Sequence, residues 1–293
     1  MLVFAREPAW KFVVTPELAA GPQSKGAKNR ESRTLRWDPP SIDAPVRGGD
    51  LSMPCALSSV LEQADARANE MVANLQNFTA QEKIEYQSLG YMGNHLEDGQ
   101  GTFDYVVVFE QRLEGMAVQE SRTPKRGSRA FPASTQDVGL PEMALIFHRD
   151  FQSDYDMKCE GAAKWDARAT WIVYFQQRSD MPSRTASFAV RGAPYPAKLK
   201  GRAWIAQDSG EVIHLETSLM EAIPAAHVKQ LYLSIDYAPV QFRTRNVRVW
   251  LPQTVDAYGD FGDHRTIIYH TFANFLLFSV QTDQVIDTPK NAE

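Results

Sequence analysis

The chain has 293 residues, 43% of them apolar, and a formal net charge of −5. This can fill one large β domain or two ordinary ones, and the mild acidity excludes a general nucleic-acid binder, which needs a clustered excess of Lys and Arg to neutralise phosphates. The longest apolar runs, such as residues 272–280, fall well short of the ~20 residues that a membrane-spanning helix requires.

Residues 1–10 contain no basic stretch followed by an apolar run, so no secretory signal is legible. Residues 1–50 interleave Pro8, Pro16, Pro22, Pro39, Pro40 and Pro45 with glycines and charges such as Lys28, Arg30, Glu31 and Arg33. Such a segment buries too little apolar area to offset its ordering entropy, and is expected to be a disordered tail. Its basic residues read as a solvated face, with an anionic partner as the alternative. Leu51-Ser52-Met53-Pro54-Cys55 has the outline of a lipoprotein cleavage box, but Pro54 stands where a small residue is required.

Leu57, Val60, Leu61, Ala64, Ala68, Met71, Val72 and Leu75 then recur at helical spacing, with Glu62, Asp65, Arg67 and Glu70 opposite. The spacing predicts a long amphipathic helix over 58–77, capped by Ser58 or Ser59, whose apolar stripe needs a sheet to lie on. From Glu82 the period changes to two, which predicts strands over 83–89 and 103–109 with a long turn over 90–101 between them. A strand over 111–118 follows, then a basic loop over 122–129. Residues 141–147 read as a short helix opened by a proline.

Strands are expected over 154–161, 169–177, 187–190 and 195–198, divided by 164–167 and 178–182. Next comes the clearest hairpin, in which Trp204 and Ala206 alternate with Ala203 and Ile205, and Ile213, Leu215 and Leu219 alternate with His214, Glu216 and Ser218. Asp208-Ser209-Gly210 supplies its turn, because glycine accepts positive φ and the Asp and Ser side chains bond their own backbone. This hairpin is expected inside the sheet. Strands over 228–237, 240–251 and 265–272 complete the chain, and 288–293 should fray. The expected organisation is a tail over 1–50, one domain over 51–287 and a frayed end.

A helix followed by a long antiparallel sheet, with Gly201-Arg202-Ala203-Trp204 leading the hairpin and 161–175 forming a strand-turn-strand with an aromatic end, resembles the periplasmic carriers that sort outer-membrane lipoproteins. It is equally similar to the related domain of periplasmic anti-sigma-factor regulators. The resemblance spans about residues 57–278. It implies an α+β fold in which a strongly curved, unclosed barrel of about ten antiparallel strands wraps around a long helix and encloses an apolar cavity. It also implies the periplasm, with the cytoplasm as the alternative given the unread signal.

Chemistry is sparse. His95, His148, His214, His227, His264 and His270 show no metal-ligand spacing, and Asp260-Phe261-Gly262 lacks every other part of a kinase, so it reads as a turn. No cofactor fingerprint occurs. Glu110, Glu120, Glu160 and Glu216 sit in or at the end of strands; they are expected on a solvent face, as half of such positions must be, with convergence in a cavity for catalysis as the alternative. Cys55 and Cys159 are too few for a disulfide scaffold, but one bridge between them would tie the helix's entry to the sheet in an oxidising compartment.

The stronger signal is aromatic. Phe109, Trp171, Phe175, Trp204 and Trp250 lie on strands that are apolar on both faces, which requires both faces to be covered or one to border an apolar cavity. The expected function is therefore non-catalytic binding or carriage of an apolar or lipid-like ligand at those five residues. The alternative is a protein-interaction or regulatory module of the cell envelope, with an envelope protein as partner and no small ligand.

Overall fold

The computed structural model describes residues 17–18, 37–46, 48–75, 77–112, 115–128, 142–185, 187–190, 193–242 and 246–278. A two-residue strand β1 (Glu17–Leu18) precedes helix α1 (Leu57–Asn74), after which come β2 (Asn77–Gly90), β3 (His95–Arg112) and β4 (Gly115–Pro124). A 3-10 turn (Glu142–Phe147) and the single-turn helix α2 (Arg149–Gln152) lead into β5 (Tyr155–Trp165) and β6 (Arg168–Gln177). A small hairpin, β7 (Ser187–Val190) and β8 (Ala193–Pro196), is followed by β9 (Leu199–Ala206), β10 (Val212–Leu219), β11 (Gln230–Phe242), β12 (Val247–Asp260) and β13 (His264–Leu277).

Ten strands form one antiparallel row in the order β4-β3-β2-β13-β12-β11-β10-β9-β6-β5, and β1 adds to β13 outside that path. The end strands β4 and β5 do not pair with each other, so the sheet is not closed into a barrel. The central hairpin is β9–β10, flanked by β6 and β11, and Gly210 turns it at φ +74. Alternation sorts the sheet into two faces. Val173, Phe175, Leu199, Ala203, Leu215, Ile235 and Val255 join one apolar cluster on the inner face, whereas Ile172, Trp204, Ala206 and Ile213 form a smaller one on the outer face.

Helix α1 supplies the inner cluster with Val60, Ala64, Ala68 and Met71, and the 3-10 turn adds Met143, Leu145, Ile146 and Phe147. The expected wrapping about the helix reduces to contact on one face, where α1 packs on the 3-10 turn and β12. The helix starts one residue early, at Leu57, and no side chain caps it at Ala56. It ends before residue 77 because the Leu75 N–H closes on the Met71 carbonyl and Asn77 already pairs with Val108.

Three expected boundaries move for local reasons. The turn over 90–101 shrinks to 91–94, since β3 continues through Gly99, where the Tyr86 ring lies so close that a Cβ would meet it at 2.5 Å. Lys164 and Trp165 stay in β5, because Asp166 and Ala167 both adopt positive φ (45 and 66) and close a two-residue hairpin. β11 runs through Pro239 to Phe242; its pairing with β10 ends at Asp236, so the proline's missing donor faces no strand there.

Of the expected disordered tail, most lies outside the described residues, and within 37–46 and 48–50 Trp37 meets Tyr258, Val46 packs on the outer cluster and Asp50 bridges to Ala162. Ile42 is 2% exposed, Asp43 pairs with Lys200, and Asp50 exchanges both backbone hydrogen bonds with Ala162 at 2.7 and 3.0 Å. Gly161, at φ +124, makes this contact feasible, because a Cβ there would stand 2.3 Å from the Asp50 carbonyl oxygen. Cys55 and Cys159 are joined by a disulfide alongside, with Cα atoms 6.2 Å apart.

Candidate functional site

The five aromatic residues singled out above do not converge. Phe175 is fully buried on the inner face, but its neighbours are the chain's own Phe147 and Tyr155, with ring centroids 6.0 and 5.8 Å away. Trp171 and Phe109 are half-buried against the same inner cluster. Trp204 points to the outer face, and Trp250 packs against both clusters. The two-residue period of β9 separates Trp204 from Ala203 and Ile205, so no arrangement of that strand brings Trp204 beside Phe175.

What covers the inner face is a layer made of α1 and residues 142–152. Its two parts are joined by side-chain contacts. Asp65, 7% exposed, accepts the Arg149 backbone N–H at 2.8 Å and its guanidinium Nε at 3.0 Å, while Asn69 Oδ1 meets His148 Nε2 at 3.0 Å. Burial pushes the Asp65 carboxyl up, but the Arg149 bonds outweigh it and hold the group below its ordinary range. Gln152 ties the layer together by donating to the Phe147 carbonyl at 2.6 Å. Among the described residues no backbone hydrogen bond joins α1 to a strand.

One crevice opens between this layer and the sheet. It encloses about 30 Å³ and is walled by α1, the β9–β10 turn and the first part of β12. Room of that size holds a water or two and no acyl chain. Its apolar floor carries a rim of Arg67, Glu70, Glu211 and Arg248. Burial raises the Glu211 carboxyl to about 7, with Glu70 pushing the same way and Arg67, Arg168 and Arg248 pulling it down.

Sequence reasoning missed a charged network on the inner face. Glu82 is fully buried, accepts Arg122 Nε at 2.6 Å and Nη2 at 3.1 Å, and lies 2.7 Å from Nδ1 of the equally buried His270. Burial pushes Glu82 up, yet the His270 and Arg122 contacts prevail and its carboxyl stays below the usual range. Glu120 approaches Arg122 at 3.7 Å with only 4% of its side chain exposed, which corrects the expected solvent face. The signal was present: Phe78, Ala80, Glu82, Ile84 and Tyr86 share one side of β2, so Glu82 takes the apolar side by period alone.

On the outer face His214 stacks on Trp165, with ring centroids 3.6 Å apart, and contacts Asp236 at 2.7 Å and Glu216 at 3.5 Å. Asp236 also accepts the Trp165 indole N–H and the Thr254 hydroxyl, each at 3.2 Å. Burial lowers His214, but the two carboxylates raise it further, so this is a closed ion-paired set that pins the β5–β6 turn to the sheet. Glu160 pairs with Arg202 at 2.5 Å on β9, and the side chain of Glu110 lies outside the described residues. Asp260-Phe261-Gly262 is a turn, in which Asp260 accepts the Gly262 N–H at 2.9 Å.

No protein-family model matches the chain, and no curated protein has a significantly similar sequence. Among solved structures the fold is similar to a domain from Vibrio parahaemolyticus assigned as an outer membrane lipoprotein-sorting protein, at 10% identity and TM-score 0.43, covering 78% of this chain and 95% of that one. It is also similar to a DUF1329 family protein from Desulfovibrio piger, at 10% identity and TM-score 0.39, covering 76% and 93%. The MucA/MucB complex structure of Pseudomonas aeruginosa matches more weakly, at 9% identity and TM-score 0.20, covering 76% of this chain and 100% of the matched one.

Proposed function

We propose that the chain binds an amphipathic, acyl-bearing molecule in the cell envelope without transforming it, by letting the molecule part the α1 layer from the sheet's inner face. The observation that carries this is the manner of attachment. A ten-strand apolar face is covered by a layer that reaches it through apolar packing and side-chain contacts such as Arg67 Nε with the Ser209 carbonyl at 3.0 Å, rather than by a backbone ladder among the described residues. Side-chain latches of this kind open at lower cost than strand pairs, which makes the layer the separable part of the fold. The disulfide supports an oxidising compartment, since such bonds are rare in reducing cytosol. Glu82 and His270 are engaged with each other and with Arg122, which favours a structural over a catalytic part for them.

A second reading is favoured by the small enclosed space of about 30 Å³: an envelope interaction module whose sheet is permanently filled by its own helix. A fluorescent fatty acid separates the two. Burying ten methylenes offers ~8 kcal/mol before ordering costs, which corresponds to roughly micromolar affinity. Saturable binding in that range is expected, with faster association by Arg67→Ala, which removes the contact of α1 with the Ser209 carbonyl. No saturable binding by the full chain would overturn the carrier reading and leave the interaction module.

A further inference from the structure

The row of strands is split at one place. β12 and β13 pair from Asp260↔Arg265 to Thr254↔Thr271 and no further, although β12 reaches back to Val247 and β13 runs on to Leu277. Over that stretch β12 keeps β11 on its other side as far as Val247↔Phe242, and β13 keeps β2 as far as Leu277↔Phe78. The facing edges, 247–253 and 272–275, have no strand partner among the described residues, and at Leu276 and Leu277 the place is taken by Glu17–Leu18. The sequence supplies reasons for the parting. Pro252 brings no donor to a continued ladder, and Asn274, at φ 55, bulges β13.

The β12 half of this split, Arg248 to Trp250, is also a wall of the crevice beneath α1. Two of the cations nearby are engaged: Arg67 bonds Glu70 and the Ser209 carbonyl, and Arg168 grips Asp208 at 2.8 Å while lying over the Trp250 ring. Arg248 is exposed, and its side chain makes no hydrogen bond or ion pair among the described residues. Burial raises the Glu211 carboxyl even with three guanidiniums about it, so charge is disfavoured where the crevice closes over and not at the exposed Arg248. An anion is therefore at home on the exposed Arg248 and a hydrocarbon inside.

Resting on the binding function above, we propose that the crevice takes a single-chain anionic amphiphile, its head group on Arg248 at the rim and its chain laid into the split between β12 and β13. A carboxylate and a phosphate share the required chemistry. One chain suits the site because the split is linear and bounded on both sides by strand edges, and room over it is made as the α1 layer lifts from the inner face.

The test uses the full chain with a fluorescent C16 fatty acid and its methyl ester, competed separately by unlabelled palmitate and by lysophosphatidylglycerol. The acid should bind at least about ten-fold more tightly than the ester. Arg248→Gln should remove that preference while leaving the ester's affinity and the melting temperature unchanged, and Arg248→Lys should restore part of it. Stronger competition by palmitate or by the lysophospholipid assigns the anion's source. A preference that survives Arg248→Gln, or one absent from the parent, overturns the head-group assignment while the binding function stands. If neither acid nor ester binds the parent, the binding function falls and this inference falls with it.

Discussion

Glu82→Gln tests whether the inner-face network is a desolvated structural element. The carboxylate is fully buried, Arg122 is 6% exposed at its side chain, and His270 shares the same carboxylate oxygen atom, so the charge is bonded from two sides. The amide keeps the shape but leaves a guanidinium whose remaining carboxylate, Glu120, stands 3.7 Å away. Removing one partner of a buried pair costs about 3–5 kcal/mol, because the other charge stays buried without compensation. That is a large part of a domain's whole stability and should be plain in a urea melt at pH 7. The acid limb supplies a check. Because the folded carboxyl lies below its ordinary 4.5, the unfolded chain takes up its proton first as pH falls, so the Glu82 contribution is complete above about 4.5 and lost below it. Parent and variant curves should then converge in acid. A loss under ~1 kcal/mol at pH 7, or a gap that persists unchanged at pH 3, would refute the desolvated network.

Glu211 should give the opposite slope. Its folded carboxyl titrates near 7 rather than 4.5, so the folded state holds the proton longer and stability falls as pH rises between those values. Glu211→Gln should flatten that part of the profile measured by thermal melts, and an unchanged slope would place the titration elsewhere. The Cys55–Cys159 bridge closes a sequence separation of 104 residues. Cys55→Ser with Cys159→Ser should cost ~2–4 kcal/mol in denaturant, and two reactive thiols in unreduced, unfolded parent protein would remove the bridge altogether.

Much of the fold was legible because local signals agreed. The alternation of Trp171, Val173 and Phe175 against Ile172 and Tyr174, the Asp208–Gly210 turn and the Val60, Ala64, Ala68, Met71 stripe each state one element, and each element forms. The 3-10 turn over 142–147 replaced a short helix, and β11 passed through a proline, because neighbouring elements decide such matters: Pro239 is tolerated only where β10 has already ended. The site was less legible. Alternation tells which residues share a face but not which strands part, and the split depends on where the β12–β13 ladder stops. The tail misled for a similar reason. Ile42 and Val46 are too few to form a periodic face, yet Ile42 is buried and the outer cluster supplies the apolar area that Val46 needs.

That last contact changes where the case for a ligand rests. Strands apolar on both faces suggested a cavity, since a sheet wetted on one side alternates cleanly. The structure accounts for both faces without one: α1 and residues 142–152 cover the inner side, while Val46, Trp165 and Trp250 pack on Ile172, Trp204, Ala206 and Ile213 outside. Two-sided apolarity therefore no longer argues for empty space. What still asks for a partner is the pair of facing edges at 247–253 and 272–275, where buried residues such as Val249, Leu251, Phe272 and Phe275 lie on strands that have stopped pairing with each other. Unlike a pre-formed cavity, such a split costs little packing while shut and is uncovered as the α1 layer lifts from two strands that remain anchored to β11 and β2. A binding protein built this way would be filled at rest and would make room only as its ligand enters.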